Sequence, residues 1–199
     1  MIDIIDKILE IHPSNGSFVY IGANQYASTI WYSKMKHDWC GVLIEPQQKE
    51  FNVLCKNYES HPKILKYCFA LSDVLGQRMI YGHPNDGYGN STSNSGSSLF
   101  PIENSKFSFE VQSLDYDTYV SIFAIPTCLI IDTEGYDSDI VINLLARNYK
   151  PKFIVSENMS NHYYVPDACL LEKSKIDTLL AHGYQCIENN GHDALFILS

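Results

Sequence analysis

Two apolar runs about a hundred residues apart set the frame for this chain: FVYIGANQ at 18–25 and LIIDTEGY at 129–136. Each run stops abruptly in small and polar residues. Runs of this length bounded by turn residues read as buried strands, and together they look like neighbouring parallel strands delivering polar groups to one sheet edge. In open α/β sheets the ligand site lies at the carboxyl ends of the strands. The chemistry is therefore expected near residues 22–24 and 132–135.

The rest of the chain alternates in the same way. Ile4, Ile5, Ile8 and Leu9 form one helical face, closed by His12 and Pro13. This opening segment has no basic stretch and no long apolar core, so it reads as an amphipathic helix and not as a signal peptide. Strands are expected at 17–21, 41–45, 63–69, 77–81, 107–114, 127–131 and 153–156. Helices are expected at 25–36, 47–58, 136–148 and 166–182, the last stopped by Gly183. Strands at 184–187 and 194–198 flank Asn189, Asn190 and Gly191, a hairpin signal. Alternation of this kind implies a mostly parallel sheet covered on both faces. Residues 82–98, GHPNDGYGNSTSNSGSS, interrupt it as a long Gly/Asn/Ser-rich surface loop. At 199 residues a single domain is expected, with no internal repeat.

The net charge of −9 argues against a partner held through a phosphate backbone, because such binding rests on clustered Lys and Arg. No nucleic acid is expected. No run approaches the length of a membrane span, so membrane insertion is not expected either. The six cysteines show no paired metal-finger spacing, and Cys68 and Cys128 sit in apolar runs as buried thiols. A reducing, cytoplasmic location follows as the expectation.

Several residues could carry chemistry. Gly22, Ala23 and Asn24 form the turn after the first strand, where glycine permits close backbone approach and a following helix offers free N–H groups. The plain alternative is an ordinary strand-to-helix turn. Glu45 ends the second strand about 20 residues on, the spacing at which a carboxylate accepts from both ribose hydroxyls. Its plain alternative is a helix-start acid favoured by the macrodipole. Asp132 and Glu134 follow a wholly apolar run, an expensive place for acids unless they face a cleft. They could orient an amine, act as a general base, or hold a divalent cation. Glu157 ends the 153–156 strand and could face the same cleft. Asp137 and Asp139 are expected to face solvent on the next helix, and His162 reads as a surface loop residue. Ser97 and Ser98 read as loop.

Taken in order, these segments resemble the FkbM-like family of class I S-adenosylmethionine-dependent methyltransferases. The resemblance runs over roughly residues 17–160. It is carried by VYIGAN at 19–24, LIEPQQKEFNVLCKN at 43–57, ALSDVLGQ at 70–77, SGSSLF at 95–100, VQSLD at 111–115 and IDTEGYDSDIV at 131–141. It implies a Rossmann-like, mostly parallel seven-stranded sheet with S-adenosylmethionine at the strand tips. It also implies methyl transfer to a hydroxyl of a sugar, polysaccharide or other small molecule. Gly22, Ala23 and Asn24 would line the methionine part, Glu45 would take the ribose, and Phe69, Ala70 and Leu71 would flank the adenine. Asp132, then Glu134, then Glu157 would be the bases for the acceptor proton. A divalent cation is compatible with these acids but not expected, because no diagnostic ligand spacing is present.

Two positions depart from the family pattern: Tyr20 stands where an acid is usual, and Tyr26 where a second glycine is usual. A bulky residue at 26 could obstruct the cofactor, which keeps open a binding or scaffold protein on a degenerate methyltransferase fold. A nicotinamide oxidoreductase is disfavoured, because the first turn has no G-x-G-x-x-G.

Overall fold

The computed structural model describes residues 2–26, 39–82, 97–101, 105, 107–158, 165 and 167–199. The expected helix at 25–36 lies outside these residues except for Gln25 and Tyr26, which stand in a turn. Residues 83–96, His162 and Pro166 lie outside them as well.

Seven strands form the main sheet. In chain order they are β1 (Ser17–Ile21), β2 (Cys40–Ile44), β3 (Ile64–Tyr67), β8 (Cys128–Ile131), β9 (Phe153–Glu157), β10 (Tyr184–Asn189) and β11 (Asp193–Leu198). Their order across the sheet is β10-β11-β9-β8-β1-β2-β3. All neighbours are parallel except the two pairs made by β11, which runs against both β9 and β10. The expected mostly parallel sheet with a C-terminal hairpin is therefore present. β1 lies inside the sheet between β2 and β8, which explains its continuous apolar run.

Side chains alternate across this sheet and build a core on each face. On one face Phe18, Tyr20, Leu43 and Ile130 pack with Ile4, Ile5 and Ile8 of α1 (Ile2–Ile11) and Leu54 of α2 (Gln48–Asn57). The three α1 isoleucines are fully buried, worth about 1.5–3 kcal/mol each. On the other face Val19, Ile21, Ile44 and Ile131 pack with Ile140, Val141 and Leu144 of α4 (Asp137–Ala146) and Leu179 of α5 (Ala168–Ala181).

Three departures from expectation concern the middle of the chain. The run expected at 63–69 forms only β3, which stays in the main sheet, and the residues just after it form β4 (Ala70–Ser72), which enters a second sheet. That sheet is ordered β4-β7-β5-β6, with β5 (Gly76–Gly82), β6 (Ser97–Ser98) and β7 (Ser108–Asp115). A helix not anticipated, α3 (Tyr116–Ile122), follows β7, and the Asp115 carboxylate caps it by accepting from the Thr118 N–H at 2.7 Å. All six cysteines are free; Cys128 is buried as expected, whereas Cys68 is only half-buried.

Candidate active site

Strand register places the site. Ile21, Ile44 and Ile131 stand opposite one another on β1, β2 and β8, and Ser156 of β9 pairs with Ile131. The next residue on each strand, namely Gly22, Glu45, Asp132 and Glu157, therefore arrives in one row at the carboxyl edge. Parallel pairing in register thus converts four separated sequence positions into neighbours.

A cleft opens above this row. It spans about 530 Å³ of space between the side chains, part of it open solvent. Gly22, Asn24, Glu45, Phe69, Ala70, Leu71, Asp132 and Glu134 line it, all expected from the sequence. Ile21, Pro46, Gln47, Ile80, Ser97, Leu99 and Thr133 complete the lining. The second sheet supplies Ala70, Leu71, Ile80 and Ser97, so it forms the apolar wall of the cleft. Two expected residues do not line it. Ala23 is buried among the α1 and α2 side chains, and its N–H donates to the Ile44 carbonyl. Glu157 lies one strand beyond the lining residues.

Glu45 is held from two loops. Its Oε2 accepts from the Asn24 N–H at 2.9 Å and its Oε1 from the Gln47 N–H at 2.8 Å. The Gln47 side chain is a further donor to the same carboxylate. Burial pushes its carboxyl up to about 7, against the lowering effect of the two backbone donors.

Asp132 is half-buried, and the Tyr20 hydroxyl donates to its Oδ2 at 3.0 Å. Desolvation, then the charges of Glu157, Asp137 and Glu134, hold its carboxyl well above the usual range, while the Tyr20 hydrogen bond opposes them. Glu134 follows with φ of 54° and Asn24 has φ of 48°, so two non-glycine residues of the cleft sit in the left-handed region.

The two departures from the family pattern do not fill the cleft. The Tyr20 ring is buried on the α1 face of the sheet and its hydroxyl reaches Asp132. Tyr26 is 53% exposed and contributes its carbonyl to the Tyr58 hydroxyl at 2.6 Å. It is not among the lining residues.

The expectation for the acids on α4 is overturned. Asp137 is 0% exposed. Its Oδ2 accepts from the Thr133 N–H and Oγ1 at 3.2 and 2.8 Å, and its Oδ1 accepts from the Glu157 N–H at 3.2 Å. Asp139 is half-buried and accepts from the Tyr116 hydroxyl at 2.5 Å. Three backbone or hydroxyl donors outweigh solvation for Asp137.

Ser97 is not simple loop but opens β6. It lies at the cleft, and its Oγ is buried with no hydrogen-bond partner. The only sequence signal for it was the SGSSLF segment. No group of three or more His, Cys, Asp or Glu side chains placed to hold a metal ion is found among the described residues. No helix among them is long and apolar enough to cross a membrane.

Comparison with known proteins fits this geometry. Residues 20–186 match the family described as Methyltransferase FkbM domain. Comparison with curated proteins gave no match. Among solved structures, a Klebsiella pneumoniae protein designated an O-methyltransferase superposes with a TM-score of 0.58 at 9% identity, covering 100% of this chain and 79% of that one. Precorrin-6y C5,15-methyltransferase from Geobacter metallireducens gives 0.53 at 10% identity, covering 98% and 86%. Aeropyrum pernix fibrillarin, in complex with natively bound S-adenosyl-L-methionine, gives 0.53 at 10% identity, covering 93% and 67%. At these identities the likeness is one of fold.

Proposed function

The chain belongs to the FkbM family of methyltransferases, and from that premise we propose that it is an S-adenosylmethionine-dependent O-methyltransferase acting on a hydroxyl of a sugar, polysaccharide or other small molecule. One observation carries this reading. One cleft joins the Glu45 carboxylate, an apolar wall and an acidic end.

The residues fit the group. Glu45 is a carboxylate at the cleft lining, a group that accepts from ribose hydroxyls. Phe69, Ala70, Leu71, Ile80 and Leu99 offer an apolar slot for a flat base. Gly22 and Asn24 stand between that slot and the acids, where the methionine part would lie. Asp132 and Glu134, where ionised, would favour a sulfonium and an ammonium.

When bound, S-adenosylmethionine supplies an electrophilic methyl group on a cationic sulfur. The chain's part is to hold the acceptor oxygen in line with that methyl and to remove its proton. Asp132 is the first candidate for the base, because a carboxyl held above its usual range is a stronger proton acceptor than a solvated one. Glu134 is the second, and Glu157, farther from the cleft, is the third.

The test is calorimetric titration of the purified protein with S-adenosylmethionine and S-adenosylhomocysteine. Micromolar binding, lost in a folded Glu45→Ala variant, is the expected result. Failure of the folded wild-type protein to bind either compound would overturn the reading in favour of a non-catalytic scaffold.

A further inference from the structure

The acidic end of the cleft is built by a side chain that does not reach the cleft. Asp137 stands in the first turn of α4, where the helix dipole favours an acid. The dipole accounts for an acid at this position but not for its being turned inward. A buried carboxylate is costly unless strong donors surround it. Here all three donors belong to the two strand tips that carry the candidate bases. Thr133, held through both N–H and Oγ1, lies between Asp132 and Glu134. Glu157, held through its N–H, ends β9. One carboxylate thus ties the loop after β8 to the end of β9.

The other side of the same residue is also held. Lys175 of α5 is 0% exposed, and its Nζ donates to the Glu157 carbonyl at 2.6 Å. Its charge is balanced by Glu172, with Nζ to Oε2 at 2.9 Å. The backbone of Glu157 is therefore gripped through its N–H by a buried anion and through its C=O by a buried cation. Charge-assisted bonds of this kind are shorter and stronger than neutral ones. Thr133, once fixed, leaves Glu134 to make the turn at φ of 54° before Gly135 at φ of 104°.

We propose that Asp137 and Lys175 form a clamp that sets the relative position of the 132–135 loop and the tip of β9, and so act as positioning residues for methyl transfer without touching a ligand. The functional half of this inference rests on the reading of the cleft given above; the mechanical half does not.

Two measurements on the full chain test it: backbone amide hydrogen exchange at Thr133 and Glu157, and the Kd for S-adenosylhomocysteine. Asp137→Asn keeps the volume but turns an NH2 group toward one of the N–H donors. The expected result is exchange at Glu157 at least about tenfold faster and a Kd raised by about tenfold, in line with the loss of a charged hydrogen bond. Lys175→Met should raise both by a similar factor. Thr133→Val should weaken binding less, and adding it to Asp137→Asn should add little, because the two share one interaction. A merely structural role would lower the unfolding midpoint without changing Kd. A core variant of matched stability loss, such as Phe153→Leu, is therefore the control and should leave Kd unchanged. Unchanged exchange at both amides in folded Asp137→Asn would overturn the clamp. Faster exchange with an unchanged Kd would overturn the positioning role. If Asp137→Asn does not fold, Thr133→Val and Lys175→Met decide by the same two criteria. If wild-type protein does not bind S-adenosylhomocysteine, the functional reading falls and the positioning role with it, while the exchange measurement still decides the clamp.

Discussion

Gly22 and Asp132 meet back to back at the carboxyl edge of the sheet: a Cβ on Gly22 would lie 1.8 Å from the Asp132 carbonyl oxygen. Gly22 also has φ of 86°, a conformation that L side chains rarely adopt. The glycine is therefore required twice, once by its own backbone and once by its neighbour. Its first role is to let the tips of β1 and β8 close together, so that Asp132 can stand beside the Glu45 side of the cleft.

Gly22→Ala is accordingly expected to destabilise the fold and to distort the cleft. Strain and overpacking together should cost about 3 kcal/mol. For a chain of this size that lowers the unfolding midpoint by about 6 to 12 °C. Differential scanning calorimetry checks it. A midpoint within a degree of wild type would mean that the two tips are not packed as described.

Glu45 gives a pH dependence with a definite sign. Its folded carboxyl is raised to about 7, above its usual value of 4.5. The folded protein therefore holds the proton more tightly than the unfolded chain. The group's contribution to stability is fully present below the unfolded value and is lost as pH rises from there through about 7. Acceptance of two hydroxyl donors works the other way, since it needs the ionised form. The affinity for S-adenosylhomocysteine should rise between pH 6 and pH 8, on the order of tenfold at most. In Glu45→Gln the affinity should be weaker and nearly flat over that range. A wild-type affinity that does not change with pH would separate Glu45 from ligand binding.

Much of this site was legible in the sequence because it depends on where apolar runs end. Ile21, Ile44 and Ile131 each close such a run, and parallel register makes the following residues neighbours. What was not legible depends on pairings distant in sequence. β4 follows β3 after two residues, and only its pairing with β7, some forty residues on, puts it in a different sheet. The aromatic and β-branched residues of YDTYVSI carry little helix signal, so α3 is not legible locally except through the Asp115 and Thr118 cap. Asp137 was placed on the solvent side because its local context is a helix start. Nothing in that context shows that the Glu157 N–H, twenty residues away, would be one of its partners.

Tyr26 offers a prediction of no effect. Its side chain is largely exposed and does not line the cleft, and the group it contributes to the fold is its backbone carbonyl. Tyr26→Ala should leave the Kd for S-adenosylhomocysteine within about threefold of wild type, as expected for a surface change. A gain of tenfold or more, measured by the same calorimetry, would show that the tyrosine obstructs the site after all.

Tyr20 should matter through Asp132. Tyr20→Phe keeps the buried ring and removes only the hydroxyl that donates to Oδ2. Leaving that acceptor without its donor should cost about 1–2 kcal/mol, or about 2 to 8 °C in unfolding midpoint. The chemical consequence has a sign of its own. The Tyr20 hydrogen bond favours the ionised carboxyl, while burial and the charges of Glu157, Asp137 and Glu134 favour the neutral one. Removing the bond leaves the opposing influences in place, so Asp132 should titrate at still higher pH in the variant. Because its carboxyl is raised in the folded protein, its contribution to stability is present at low pH and is lost as pH rises through the folded value. In Tyr20→Phe that loss should move to higher pH. Carboxyl-carbon NMR of wild type and variant, each compared with Asp132→Asn to assign the signal, reads this directly. If Asp132 titrates in the ordinary carboxylate range in the wild-type protein, or does not move in Tyr20→Phe, then the tyrosine that replaces the family's acid is not tuning the candidate base.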